Sequence, residues 1–224
     1  MTNVVCVNWG TKYGVDYTHR LYNMVRRNTT RDFTFYVLTD QVDRYPNYKT
    51  VELNTDEVGW WNKLQMFNPG VLPDGEYLYF DLDVVIVDNI DCFFDHPSFG
   101  ITRDFIRPDD GILPGKEYNS SVLRFNSKQC AGIYQHYINN RKLWRDYQKQ
   151  VHFFGDQNVI SHYVNHYPDF LNTFPDEWLW SYAGDRSQMF GRWIPDKGKV
   201  CVFHGEPNPE ELLNEVDWVN KHYV

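Results

Sequence analysis

Two carboxylates one residue apart, Asp81 and Asp83, stand inside the otherwise uncharged and mostly apolar run Tyr77–Val87. Burying a carboxylate without a partner is costly, and a like charge beside it raises the cost, so this pair asks for a compensating cation. A divalent ion holding a phosphate-bearing ligand answers the need, because Mg2+ or Mn2+ takes hard oxygen ligands and few of them from protein. Other residues could bring chemistry of their own. Lys63 lies in an aromatic helical segment, where it either snorkels to water or reaches a ligand. Arg103-Asp104 follows an apolar stretch and could form an internal ion pair or meet polar ligand groups. Asn119 and Ser121 offer short donors and acceptors at a strand start, suited to turn bonds or to hydroxyls. Asp156 has the position of a helix N-cap. His162 and His166 have the i, i+4 spacing of zinc pairs but lack the Glu of a metalloprotease motif, so they read as helix surface.

The elements that must position these residues follow a β-α-β opening. Val4–Asn8 predicts a strand, Val15–Asn28 a helix with Tyr17, Leu21, Met24 and Val25 on one face, and Phe33–Leu38 a second strand. Alternation of this kind points to an α/β sheet of mostly parallel strands flanked by helices. Thr50–Leu53 predicts a shorter strand and Gly59–Phe67 a helical segment. Tyr77–Val87, preceded by the turn signal Pro73-Asp74-Gly75, predicts one buried central strand. Strands at Phe99–Arg103, Tyr118–Phe125 and Lys199–Phe203 follow, with helices at Lys128–Arg141, Asp156–Val164 and Pro209–Val219. Asp104–Gly115 and Tyr182–Gly198 are long enough to be binding loops or lids. Asn8-Trp9-Gly10-Thr11-Lys12-Tyr13 ends the first strand at the carboxyl edge, where open α/β sheets bind ligands.

Composition narrows the classes. At 224 residues the chain suits one domain with a sizeable core. A net charge of −8 argues against a nucleic-acid surface, which needs a basic patch. No apolar stretch is long enough to span a membrane, and the N-terminus has no basic start followed by an apolar run, so a cytoplasmic location is expected. Cys6, Cys92, Cys130 and Cys201 form no Cys-x-x-Cys pair and fit free thiols in a reducing compartment. Without a leader segment, the glycosylation-type triplets at Asn28 and Asn119 read as coincidental.

Six short motifs recur in order: Trp60-Trp61-Asn62-Lys63-Leu64, Tyr79-Phe80-Asp81-Leu82-Asp83, Arg103-Asp104-Phe105, Asn119-Ser120-Ser121-Val122, Gly155-Asp156-Gln157 and His204-Gly205-Glu206-Pro207. Together they resemble a GT-A-fold glycosyltransferase, close to glycosyltransferase family 8 and its compact bacterial and viral relatives. The resemblance implies a Rossmann-like nucleotide-diphospho-sugar transferase fold spanning residues 1–224. About 1–88 would be the nucleotide half and 89–224 the sugar and acceptor half. It implies Mn2+ or Mg2+ held by Asp81, Asp83 and His204, and a nucleotide-sugar donor, expected to be a UDP-sugar such as UDP-glucose. The acceptor would be a glycan or glycoconjugate.

The resemblance assigns Asn8, Trp9, Gly10, Thr11 and Tyr13 to base and ribose. It assigns Lys63, Asp81, Arg103, Asn119, Ser121 and Gly205 to the donor, and Asp156 and Gln157 to the neighbourhood of the anomeric carbon. If transfer inverts configuration, Asp156 and Asp104 are the candidate general bases. The family tends to carry a Lys after the His-Gly motif for the phosphates; Asn208 stands there instead, which would shift that task to Lys63, Lys197 or Lys199.

Two other classes compete. A haloacid-dehalogenase-type phosphatase would use Asp81 as nucleophile and Asp109-Asp110 as a late metal pair, but its motif belongs on a first strand. A non-catalytic nucleotide- or carbohydrate-binding module would explain the absent Lys at position 208.

Overall fold

Apolar side chains on alternating positions supply two cores, one on each side of a central sheet. In the computed structural model, which describes residues 2–54, 56–97, 99–105, 117–149, 155–183 and 193–224, Val4, Cys6, Leu78 and Phe80 face one core. Val5, Tyr77 and Tyr79 face the other. Strands buried on both faces read as near-continuous apolar runs, which is how these two appear in the sequence.

The strands are β1 (Thr2–Asn8), β2 (Phe33–Thr39), β3 (Lys49–Glu52), β4 (Glu76–Phe80), β5 (Val84–Ile86), β6 (Phe99–Arg103), β7 (Tyr118–Asn126), β8 (Leu171–Thr173), β9 (Leu179–Ser181) and β10 (Val200–Val202). Seven of them form one sheet in the order β3-β2-β1-β4-β7-β6-β8. Within it β1, β2, β3 and β4 run parallel, and β7 runs antiparallel to both of its neighbours. A second sheet has the order β5-β10-β9.

The helices are α1 (Val15–Arg27), α2 (Asp91–Asp95), α3 (Ala131–Asn139), α4 (Arg141–Tyr147), α5 (Asp156–His166) and α6 (Asp217–His222). α1 buries Leu21, Met24 and Val25 and packs against β5, where the Met24 sulfur accepts from the Ile86 N–H at 3.4 Å. The opposite core is covered by α3, α5 and a 3-10 helix, Gly59–Phe67. Buried Glu57 anchors the entrance to that 3-10 helix, accepting from Tyr137, Arg141 and Arg145 at 2.7 Å each. Among the described residues no helix is long and apolar enough to cross a membrane. All four cysteines are free thiols, and burial pushes Cys130 up to about 12.

Three expectations are corrected. Tyr77–Val87 is not one strand: β4 belongs to the large sheet and β5 to the small one, and the chain changes sheets at Asp81-Leu82-Asp83. Leaving the ladder there lets both carboxylates reach a polar cavity instead of a core. Lys128–Arg141 is split at Asn140, which ends α3 and precedes α4, its amide bonded back to the His136 carbonyl at 3.0 Å. Pro209–Val219 is likewise two pieces, a 3-10 turn at Pro209–Leu212 and α6, separated by Asn214 at φ 73°. The expected loops are described only at their ends; Asp109 and Asp110 lie outside the described residues.

Candidate functional site

β1 and β4 end side by side, and the β4–β5 turn, the start of β7, the start of α5 and the end of β10 close around them. The space between is an open cavity of about 530 Å³. Its walls carry Trp9 and Tyr13 from the segment after β1, Lys63 from the 3-10 helix, and Asp81 and Asp83 from the turn. The opposite walls carry Asn119 and Ser121 from β7, Asp156 and Gln157 from α5, and His204 and Gly205 after β10.

Lys63 is the hub. Its ammonium lies 2.9 Å from Asp81 Oδ1, 3.0 Å from Asp156 Oδ2 and 3.1 Å from Ser120 Oγ, with the Tyr79 ring beneath it. Burial pulls the Lys63 pKa down, but the charges of Asp156 and Asp81 outweigh burial and hold it above the ordinary lysine value. Asp156 is pushed up by its own burial and by Asp81, against the pull of Lys63. Ser120 also donates to Asp156 Oδ2 at 2.7 Å, and the Tyr79 hydroxyl donates to Asp81.

Asp83 stands on the other side of the turn, accepting from the Tyr13 hydroxyl at 2.7 Å. Burial and the Asp81 charge push its carboxyl up to about 6. Two neighbouring carboxylates of this kind are a donor pair suited to a hard divalent cation. His204 brings a nitrogen donor to the same cavity, its ring stacked on Phe105 and its Nε2 3.0 Å from Ser181 Oγ. Among the described residues, however, no three His, Cys, Asp or Glu side chains converge closely enough to hold a metal as they stand. Two carboxylates and an imidazole are donor types that fit such an ion.

The β7 contribution depends on an irregularity. Between β6 and β7 the register jumps from Ile101↔Leu123 to Thr102↔Asn119, while β7 stays paired with β4 as far as Phe80↔Val122. Strict alternation would send neighbouring side chains to opposite faces. The break releases Asn119, Ser120 and Ser121 from that rule, and all three line the cavity. Gly205, at φ 88°, holds a backbone conformation that L side chains rarely adopt and exposes its main chain to the cavity.

Five expected residues stand back from the cavity wall. Asn8 is buried and ties β1 to α1, donating to Thr18 Oγ1 at 3.0 Å and to the Gly14 carbonyl. Gly10 donates to Asp40 and accepts from Gln41, and Thr11 is exposed. Arg103 is exposed, 3.4 Å from Asp176, and does not reach the cavity or pair with Asp104. Asp104 acts one step behind the wall: buried, it accepts from Gln157 Nε2 at 2.9 Å and so orients the Gln157 amide. Asn208 closes a capping box with Glu211, its amide 2.9 Å from Glu211 Oε1. His162 and His166 are exposed on α5 as expected, with ring centroids 4.3 Å apart. Ser120, Lys12 and Trp60, which stand inside the quoted motifs but were given no role of their own, also line the cavity. The run of small polar residues at 119–121 was the one available signal for Ser120.

No sequence-family model matches this chain, and no curated protein matches it by sequence. Solved structures do match its fold. An active-site mutant of LgtC superposes with a TM-score of 0.68 at 14% identity, covering 93% of this chain and 89% of that one. The galactosyltransferase LgtC in complex with donor and acceptor sugar analogs gives 0.65 at 15% identity over the same shares of the two chains. The glycosyltransferase GlyE of Streptococcus pneumoniae TIGR4 gives 0.64 at 14% identity, over 93% of this chain and 56% of GlyE. The chain therefore has the glycosyltransferase fold that its motifs led us to expect, a mixed sheet flanked by helices with the carboxylate pair at its carboxyl edge.

Proposed function

We propose that this protein is a metal-dependent glycosyltransferase that moves a sugar from a nucleotide-diphosphate donor, a UDP-sugar in our reading, to a glycan or glycoconjugate acceptor. The observation that carries the proposal is convergence. Asp81, Asp83 and His204, separated by more than half the chain, meet Asn119, Ser121, Asp156 and Gln157 around one cavity in a fold shared with glycosyltransferases. Asp81, Asp83 and His204 are the residues that would hold Mn2+ or Mg2+. When bound, such an ion supplies positive charge to a diphosphate that gains negative charge as the glycosidic bond breaks.

The protein's own groups do the rest. Trp9 and Tyr13 offer aromatic surface at the end of β1 for a base and ribose. Asn119 and Ser121 offer hydrogen bonds to sugar hydroxyls. Lys63 holds Asp156 against Ser120, and Asp104 holds Gln157, so both α5 side chains face the cavity from fixed positions. With Oδ2 committed to Lys63 and Ser120, Asp156 serves as an orienting carboxylate. A transfer that retains configuration, in which the leaving phosphate assists the acceptor, needs no stronger base than this.

The phosphatase reading loses its basis in this fold, since the carboxylate pair follows the fourth strand and not the first. The test is a panel of nucleotide sugars read by thermal shift and nucleotide release, with Mn2+ and with EDTA. We expect stabilisation and slow hydrolytic release for one nucleotide class, lost in EDTA. Metal-independent behaviour across the whole panel would overturn the proposal.

A further inference from the structure

Among the described residues the cavity carries more negative than positive charge. Among its described walls three carboxylates (Asp81, Asp83 and Asp156) face two ammonium groups, those of Lys12 and Lys63. Lys63 is already neutralised, paired at 2.9 and 3.0 Å with two of those carboxylates and hydrogen-bonded to Ser120. The segment after His204-Gly205 contributes no cation: Asn208 is turned to Glu211, where it caps the 3-10 turn Pro209–Leu212.

Lys12 differs from Lys63 in each respect. It is exposed at the cavity's edge, in the segment between β1 and α1, and no described carboxylate forms an ion pair with it. Its ammonium rests 4.5 Å from the Tyr13 ring centroid, a contact that aligns the stem without consuming the charge. The Tyr13 hydroxyl in turn bonds Asp83, and the Lys12 charge is felt at the Asp83 carboxyl. Among the described residues the free positive charge of the cavity thus lies beside the carboxylate turn, on the side where Trp9 and Tyr13 stand.

We propose that Lys12 is the phosphate-binding cation of this site, contacting the diphosphate of the nucleotide donor from the β1–α1 segment. The assignment rests on the donor reading above. It makes the base-binding and phosphate-binding functions neighbours in sequence, through Trp9, Lys12 and Tyr13. A lysine acts here as a point charge, and an arginine keeps that charge at the same position in a planar fork.

The experiment compares wild type, K12M and K12R by calorimetric titration with UDP and with uridine, in Mn2+-containing buffer at low and high salt. A hydrogen-bonded charge contact of this kind predicts that K12M weakens UDP binding by about tenfold or more. Uridine affinity should stay at the wild-type value, and K12R should recover most of the loss. Added salt should weaken UDP binding less in K12M than in wild type, because one exposed charge contact has gone. Lys12 is exposed, so melting temperatures should match, which separates binding from folding. Unchanged UDP affinity in K12M, or an equal loss for uridine, would overturn the Lys12 assignment while leaving the donor reading intact. Failure of the wild-type chain to bind any nucleoside diphosphate in a wider panel would overturn the donor reading and this assignment together.

Discussion

Asp83, which the proposed function makes a metal ligand, ionises at a cost in this fold. Its folded-state pKa, pushed up to about 6 by burial and by Asp81, lies above the value it has in an unfolded chain. The folded protein therefore holds an extra proton between about pH 4 and pH 6, and the stability tied to that proton is lost as pH rises through about 6. At pH 7.5 the ionised side chain is a net burden. Asp83→Asn keeps an acceptor for the Tyr13 hydroxyl and removes the charge. It should raise stability at pH 7.5 by about 1 to 2 kcal/mol, allowing for the partial exposure of the side chain. The gain should shrink below pH 5, and Mn2+-dependent donor binding should disappear. Thermal melts at the two pH values check the first claim, and a variant no more stable than wild type at pH 7.5 would refute it. At this scale much of the site was legible. Asp81, Asp83, Asn119, Ser121, Asp156 and Gln157 line one cavity because the turn after β4, the first half of β7 and the start of α5 meet at one edge of the sheet, and Lys63 reaches it from within the 3-10 helix Gly59–Phe67. Arg103 did not join them, because the last side chain of β6 faces outward to Asp176. Ser120 escaped notice because strand alternation excludes it unless the register breaks.

Elements were legible where one periodicity ran uninterrupted, as in β1, α1, β2 and β6. They were misread where the chain changed partners without changing composition. An apolar run through Asp81-Leu82-Asp83 looks the same whether it stays in one sheet or crosses into another, since both cores want the same residues. The small sheet was harder still, because β5, β9 and β10 span three residues each and pair across long sequence separations. α5 carries a constraint that follows from its first residues. Gly155 precedes it at φ 60°, ψ −117°, and a Cβ there would lie 2.2 Å from the Trp60 indole. Gly155→Ala should cost about 1 to 3 kcal/mol from backbone strain, with further loss if the ring cannot move. It should also displace Trp60 and shift Asp156 from Lys63. A lowered melting temperature together with a changed tryptophan emission would register both effects; a variant with wild-type stability and emission would contradict the seating of Trp60 on Gly155.

At the scale of the molecule, the mixed sheet flanked by helices is what aligns this chain with LgtC and GlyE at identities of 14 to 15%. The overall negative charge turned attention from nucleic acid towards ligands that bring their own cation, but bulk charge could not place a cavity. Placement came from where β1 and β4 stop.

The change of sheets at Asp81–Asp83 has a mechanical meaning. β4 belongs to the large sheet, whereas β10, which delivers His204, is held to β5 and β9 in the small one. Anything gripped by the carboxylate turn and His204 together rivets two separately hydrogen-bonded sheets. Occupancy should thus be readable far from the ligand, as slowed amide hydrogen exchange along β9 and β10 when donor and Mn2+ are added, with β2 and β3 unaffected. Equal slowing everywhere would mean general stabilisation, and no slowing would mean that the small sheet does not take part. On the proposed function, a ligand held by the paired aspartates would tighten a junction between the two sheets that the Phe203 N–H already bridges to the Asp83 carbonyl at 3.3 Å.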